Sequence, residues 1–295
     1  MRRLLVAWAD VTACYRALMD DAPGAAPLES RWRDFADAVA GTRRTPPGHL
    51  RLVLESLDRM GPCRAPEEIV ILDHGCGGGR TLLYLLALGY RQIHGVDLGG
   101  PIERLNAVAM AAGLTPPRFF AHDGTRLPLP DASVDLIFSQ QVLEHVADRV
   151  VEAYYAEEGR VLTAGGVAVH QVPHRLVPYD SHTRTWFLHY FPPGPRRVAY
   201  RWLGRDPDYV ESMLHLRWPS YHRAQMRRHV GGTRDLTLRR LREVRDFDTA
   251  GGPVYDGPRR LRRLLEQAID LPVAGRWLGA VLRNFVMIDS VSVKE

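Results

Sequence analysis

Val70-Ile71-Leu72-Asp73-His74-Gly75-Cys76-Gly77-Gly78-Gly79-Arg80 is the stretch from which the rest of the chain is read. An apolar run that fits a buried strand ends in Asp73, and glycines follow at 75, 77, 78 and 79 before a helix begins. Glycines there let the backbone turn tightly and let a ligand lie against bare amides at a helix N-terminus. Dinucleotide enzymes place GxGxxG at the same point, but here the third glycine slot holds Arg80. Asp97 follows in GVDLG, at the end of the next strand-like run, where a carboxylate can accept hydrogen bonds from a ribose diol.

Outward from this turn, short apolar runs alternate with helical segments. IVILD, TLLYLLALG, QIHGVDL, IERLNAVAMAAG, PRFFAHD, VDLIFSQ, a helix near 147–160 and GGVAVHQV follow one another. That alternation implies an α/β fold with a parallel sheet and helices on both faces. LTLRRLREV near 236–244 and NFVMIDSVSV near 284–293 read as two further strands. Upstream, 3–20, 28–40 and 48–60 read as helices separated by Pro- and Gly-rich punctuation. Four regions result: an N-terminal helical segment over 1–65, a core over 66–172, an inserted cap over 173–232, and the end of the core sheet over 233–295. The last region carries a helical insertion near 249–283, around RRLRRLLEQAI.

The chain resembles the class I S-adenosylmethionine-dependent methyltransferases, in particular the small-molecule subgroup, over residues 68–172. LDHGCGGG looks like the family's first motif and GVDL like its ribose-binding second strand. HDGTRLPLPDASVDLIFSQQVLEHV looks like its adenine and post-strand-four motifs, and LTAGGVAVHQV like the turn into strand five. The resemblance implies a Rossmann-like doubly wound sheet, mostly parallel with an antiparallel last strand, and S-adenosyl-L-methionine as cofactor. By it, Asp73, Gly75, Cys76, Gly77 and Gly79 line the methionine end. Asp97 and Leu98 serve the ribose side, Asp123 and Gly124 meet the adenine, and Ser139 and Gln140 pass beneath the sulfonium. Strand four ends in FSQQ and not in an Asn-Pro-Pro-Tyr-type sequence, which argues against exocyclic base-nitrogen and amide methylation.

A sulfonium is already a strong methyl donor, so the protein has to align the acceptor and remove its proton. Histidine titrates near neutrality and suits a hydroxyl acceptor. His174, just beyond the end of strand five, is the leading candidate base, with His145 after strand four and His170 within strand five as alternatives. No metal is expected: among His170, His174, His182 and His189 only 170 and 174 have a compact i, i+4 spacing, and they fall on a strand and its exit with Pro173 between them. Glu144-His145 resembles a pair in quinone-type O-methyltransferases, but Gln141 stands where those place an additional metal-binding Glu.

Tyr179 to Pro192 holds five aromatics, two histidines and an arginine, and His182, Arg184, Trp186 and Tyr190 are the candidate acceptor contacts. Residues 201–245 hold eleven Arg against five acidic residues, more than the excess of the whole chain, which nets +5. This suits an anionic small molecule or glycan, or simply a solvated face. Of the 39 basic residues only Lys294 is Lys, which points to coding bias more than to phosphate binding. No RNA-binding module is recognisable, so nucleic acid is not the expected partner. Alternatives are an RNA or protein methyltransferase or a non-catalytic cofactor-binding subunit. Cys14, Cys63 and Cys76 form neither a disulfide scaffold nor a CxxC pair, and no apolar stretch is long enough to span a membrane. A cytoplasmic methyltransferase is therefore expected, with homo-oligomerisation left open.

Overall fold

The computed structural model describes residues 2–42, 50–122, 124–242, 267 and 271–295. Three helices come first: α1 (Arg2–Met19), α2 (Leu28–Ala40) and α3 (Arg51–Met60). The core then alternates β1 (Val70–His74), α4 (Arg80–Ala87), β2 (Gln92–Asp97), α5 (Ile102–Ala111), β3 (Phe119–Ala121), β4 (Val134–Gln140), α6 (Val151–Val161) and β5 (Leu162–Val172). A cap follows, with a small hairpin of β6 (Tyr179–Asp180) and β7 (Thr185–Trp186), then α7 (Pro193–Trp202) and α8 (Pro207–Met213). The chain returns through α9 (Pro219–His229), β8 (Gly231–Asp235), α10 (Thr237–Arg242), α11 (Ala274–Leu282) and β9 (Ile288–Lys294).

Seven strands form one sheet in the order β3-β2-β1-β4-β5-β9-β8. The first five are parallel, and β9 runs antiparallel between β5 and β8. Side-chain alternation divides the core into two layers. Ile71, Ile93, Leu136, Phe138 and Val169 pack with α1 to α5 on one face. Leu72, Val96, Ile137 and Ala168 face the other way, toward Val161 and Val230. Because every central strand is covered twice, the runs are apolar throughout and not alternating.

Two expectations need correction. LTLRRLREV is not a strand: the Asp235 carboxylate accepts the Thr237 N–H at 3.0 Å and starts α10 there, and the strand lies just before it, in GGTRD. Local capping thus overrides β-type composition. The cap also ends sooner than 232, because α9 packs on α6 through Tyr155 and His222, whose hydroxyl and Nδ1 lie 2.8 Å apart. Helix α9 is therefore part of the core's outer layer. The expected helix around RRLRRLLEQAI falls almost wholly outside the described residues. Among the described residues, no helix is long and apolar enough to cross a membrane.

Candidate active site

The carboxyl ends of β1, β2, β4 and β5 lie side by side, and the candidate residues gather along this edge. The glycine turn takes the shape its sequence asks for: φ is +99° at Gly75, +51° at Gly77 and +68° at Gly79, values that disfavour any side chain. A Cβ at Gly75 would collide with Val142, and one at Gly79 with Leu105, whereas nothing lies within 4 Å of the Cβ position at Gly77. The turn is packed on two sides and open on one. Asp97 fixes it from the next strand, accepting the N–H of Gly77 at 2.8 Å and that of Gly99 at 2.9 Å. Beside it Leu98 is 75% exposed, an apolar side chain held out over the edge. Burial, with Asp97 adding repulsion, holds the Asp73 carboxyl well above the usual carboxylate range.

Residues 72–170 match the family model described as a methyltransferase domain. Over these residues the chain carries a methyltransferase domain, similar to those of S-adenosylmethionine-dependent enzymes. It is 31% identical over 116 residues to 27-O-demethylrifamycin SV methyltransferase of Amycolatopsis mediterranei, a match covering 38% of this chain and 40% of that one. It is 30% identical over 126 residues to dimethylglycine N-methyltransferase of Parasynechococcus marenigrum, covering 42% and 43%. The chain thus spans about two fifths of the length of the curated relatives it matches. A solved geranyl diphosphate C-methyltransferase from Streptomyces coelicolor aligns with 94% of this chain and 86% of its own, at 14% identity and a TM-score of 0.45.

Not every candidate in the methyltransferase domain faces the open edge. The Ser139 hydroxyl is buried and donates to Tyr154, whose own hydroxyl donates to the His74 carbonyl, at 2.7 and 2.8 Å. Its side chain therefore braces α6 and does not face the open edge. Cys76 is buried against Gly95, and burial pushes its thiol up. Asp123 lies outside the described residues, while Gly124, with φ +85°, donates its N–H to His122 Nδ1.

The candidate bases separate clearly. His170 is fully buried, with Nε2 2.7 Å from Glu158, whose other oxygen lies 3.1 Å from His74 Nδ1. Burial alone would raise the Glu158 carboxyl, but His170 and His74 overcome it and hold the group at about 2. This is an internal brace between β1, α6 and β5. His174 is also fully buried, and both ring nitrogens are taken: Nδ1 accepts the Leu176 N–H, and Nε2 donates to the Val286 carbonyl. Burial brings its pKa down to about 4. The preference for His174 as base is therefore corrected, because the residue that pattern placed at an open strand end is a closed structural contact.

His145 sits in the turn after β4, which Gln141 begins with φ +56°. Beside it, Glu144 is completely buried, and neither of its carboxylate oxygens has a hydrogen-bond partner. His182, from the β6–β7 hairpin of the cap, brings Nε2 to 3.5 Å from Glu144, and His145 Nε2 lies 3.9 Å from the same oxygen. The two imidazoles meet edge to face at 4.6 Å. Their positions are anchored. Asp180 accepts the His182 N–H and the Thr183 hydroxyl, and His145 Nδ1 lies 2.8 Å from the Met213 carbonyl. The cap is stapled to this turn by Arg217, which donates to the carbonyls of Leu143 and Val146 and pairs with Asp148. Contact with Glu144 raises the His182 pKa against the opposing effect of burial.

Of the other cap candidates, Trp186 is 52% exposed against Tyr179, Tyr190 donates to the Leu176 carbonyl, and Arg184 is exposed. Sequence reasoning missed Glu144 as a site residue and missed Tyr15, whose hydroxyl donates to the Gly78 carbonyl at 2.7 Å. Glu144 carried a signal in its adjacency to His145. Tyr15 carried none, being 63 positions away in a segment that reads only as an amphipathic helix.

Proposed function

We propose that the protein transfers a methyl group from S-adenosylmethionine to a small-molecule acceptor, at a hydroxyl, and that the acceptor's proton leaves at the Glu144–His145–His182 group. The observation that carries this reading is the position of that group. It stands on the turn after β4, whose Val142 touches Gly75 of the glycine turn, and beneath the cap.

The residues present fit the cofactor. The open face of Gly77 leaves room for a ligand against bare amides, and the Asp97 oxygens keep lone pairs for a ribose diol. Leu98 offers an apolar surface for an adenine. The raised Asp73 carboxyl would regain its charge beside an ammonium group, a favourable pairing in a buried place. When bound, the cofactor supplies an electrophilic methyl carbon, and the chain's part is to align the acceptor, exclude water and receive a proton. The cap and the β6–β7 hairpin do the covering.

A polar cavity of about 400 Å³ lies within the cap, with Arg175, His189, Arg196, His215 and Arg217 among its lining. His215 donates its backbone N–H to the Glu144 carbonyl, so the cavity adjoins the same turn. Arg196 and Arg217 pair there with Glu211 and Asp148 of the same lining, so the cavity suits an acceptor with a polyhydroxyl portion. Much of the Arg-rich 201–245 segment is used internally: Arg217, Arg223, Arg228 and Arg239 pair with Asp148, Asp235, Glu152 and Glu55. That pairing supports a small acceptor over a nucleic acid.

Calorimetry with S-adenosylmethionine, S-adenosylhomocysteine and NAD tests the premise, and preference for NAD would end it. Formation of S-adenosylhomocysteine across a panel of hydroxylated acceptors, natural-product aglycones and sugars then tests the acceptor class. Turnover with amines alone would overturn the hydroxyl assignment.

A further inference from the structure

We infer that Glu144, His145 and His182 bind one divalent transition-metal ion of the zinc class, with a coordination position left for an oxygen of water or of the acceptor. The inference deepens the reading above and rests on it only for the role of the ion, not for its binding.

The starting point is the Glu144 carboxylate. It is fully buried, and both oxygens lack a hydrogen-bond partner. A buried carboxylate without compensation is strongly unfavourable, so something must face it. What faces it is two imidazole nitrogens. The Met213 carbonyl can only accept, so His145 carries a proton on Nδ1, and Nε2 is the ring atom turned toward the carboxylate group. A cation between these nitrogens and the carboxylate would join all three groups.

The spacing suits a metal better than a shared proton. Charge-assisted N–H···O bonds run at about 2.7–2.9 Å, well inside the 3.5 Å and 3.9 Å observed. An ion holding N and O ligands at about 2.0–2.2 Å separates them by roughly 3.4 Å in tetrahedral geometry. All three ligand atoms lie within 4.8 Å of one another. Two neutral nitrogens and one carboxylate are a borderline donor set, which selects zinc-like ions over magnesium or calcium. The contact of His145 Nδ1 with a backbone carbonyl is the outer-shell support that metal-bound histidines normally have. Gln141 offers no anionic ligand and is not part of the set; the third ligand comes from the cap. Three protein ligands leave a fourth position, and the accessible edges of the two imidazoles, 30% and 27% of their side chains, open it to the outside.

With an ion here the two Nε2 atoms are ligands and cannot take a proton themselves, so the ion would acidify a hydroxyl oxygen in the open position and the proton would leave this group by way of water. Because His182 belongs to the cap, metal binding would also tie the cap to the core.

The test uses the full chain, stripped with a chelator and titrated with Co²⁺, whose visible absorption reports nitrogen ligation, followed by displacement with Zn²⁺. The expected result is one equivalent bound, with affinity at least tenfold weaker in Glu144→Gln and in His182→Ala and unchanged in a His229→Ala control. His182→Ala, on a cap hairpin, keeps the test decisive should the buried Glu144→Gln fail to fold. Absence of saturable binding at one equivalent, or full retention in His182→Ala, would overturn the inference. S-adenosylmethionine calorimetry on the same samples keeps the two readings apart. Cobalt binding without cofactor binding leaves the metal site standing and removes the methyltransferase assignment; the reverse outcome removes the metal site alone.

Discussion

The Tyr15 hydroxyl donates to the Gly78 carbonyl at 2.7 Å, across 63 residues of sequence, so the first helix holds the glycine turn in place. Arg80, the first residue of α4, lies over the Trp8 ring of the same helix with 5.8 Å to its centroid. Helix α1 is thus packed onto the glycine turn and is not a separate appendage. Tyr15→Phe deletes one hydrogen bond, worth about 0.5–1.5 kcal/mol, and leaves the ring packing. We expect S-adenosylmethionine affinity to fall by roughly three- to tenfold, by the same energies, with the melting temperature little changed; calorimetry showing wild-type affinity would separate α1 from the site.

Asp97 organises the same turn from the other side, through Gly77 and Gly99. Asp97→Asn keeps the shape but replaces one acceptor with a donor that faces a backbone N–H. Cofactor affinity should drop by tenfold or more while circular dichroism stays native. Equal affinity in the variant would exclude Asp97 from ribose recognition.

Glu158 joins His74 and His170 beneath the sheet edge, and all three are buried. Removing one partner of such a buried group costs about 3–5 kcal/mol. Glu158→Gln is therefore expected to lower the urea midpoint strongly, far more than an exposed change such as Glu152→Gln. A variant as stable as the parent would show that the brace contributes nothing.

Burial depresses the pKa of His174 and His94 to about 4 and of His222 to about 3. In the unfolded chain each titrates near 6.5, so between these values the unfolded state binds more protons and stability rises with pH. The protein should lose stability as pH falls from about 6.5 toward 4. Below about 4.5, protonation of Glu158, held at about 2 when folded, adds to the loss. Thermal melts across this range read the slope, and a flat profile between pH 6.5 and 5 would contradict the burial of these three rings.

His174 supplies the sharpest contrast with the sequence reading. With both ring nitrogens engaged, His174→Asn should lower the melting temperature while leaving cofactor affinity within about twofold, since no more than local hydrogen bonds of about 1 kcal/mol each are lost. A selective loss of cofactor binding at native stability would return His174 to the site.

What was legible in the sequence was the part governed by glycine geometry or by apolar period. The strand–glycine–helix turn, the acidic end of β2, the parallel order and the three N-terminal helices follow from backbone freedom at glycine and from apolar patterning over a few residues. The failures have two causes, one a local side-chain cap and one a distant contact. LTLRRLREV looked like a strand until the Asp235 side chain capped a helix at Thr237, and His174 looked available until the Val286 carbonyl, 112 positions later, closed it.

Sequence alone determined the strand–glycine–helix turn and the acidic strand end beside it, because those features are written within single segments. Only tertiary structure decided which histidines face the open edge. Glu144 and His145 come from the turn after β4 and His182 from the cap, which Arg217 and the Met213 carbonyl hold against that turn. The charge state and openness of a side chain depend on what covers it, and that covering comes from residues distant in the chain.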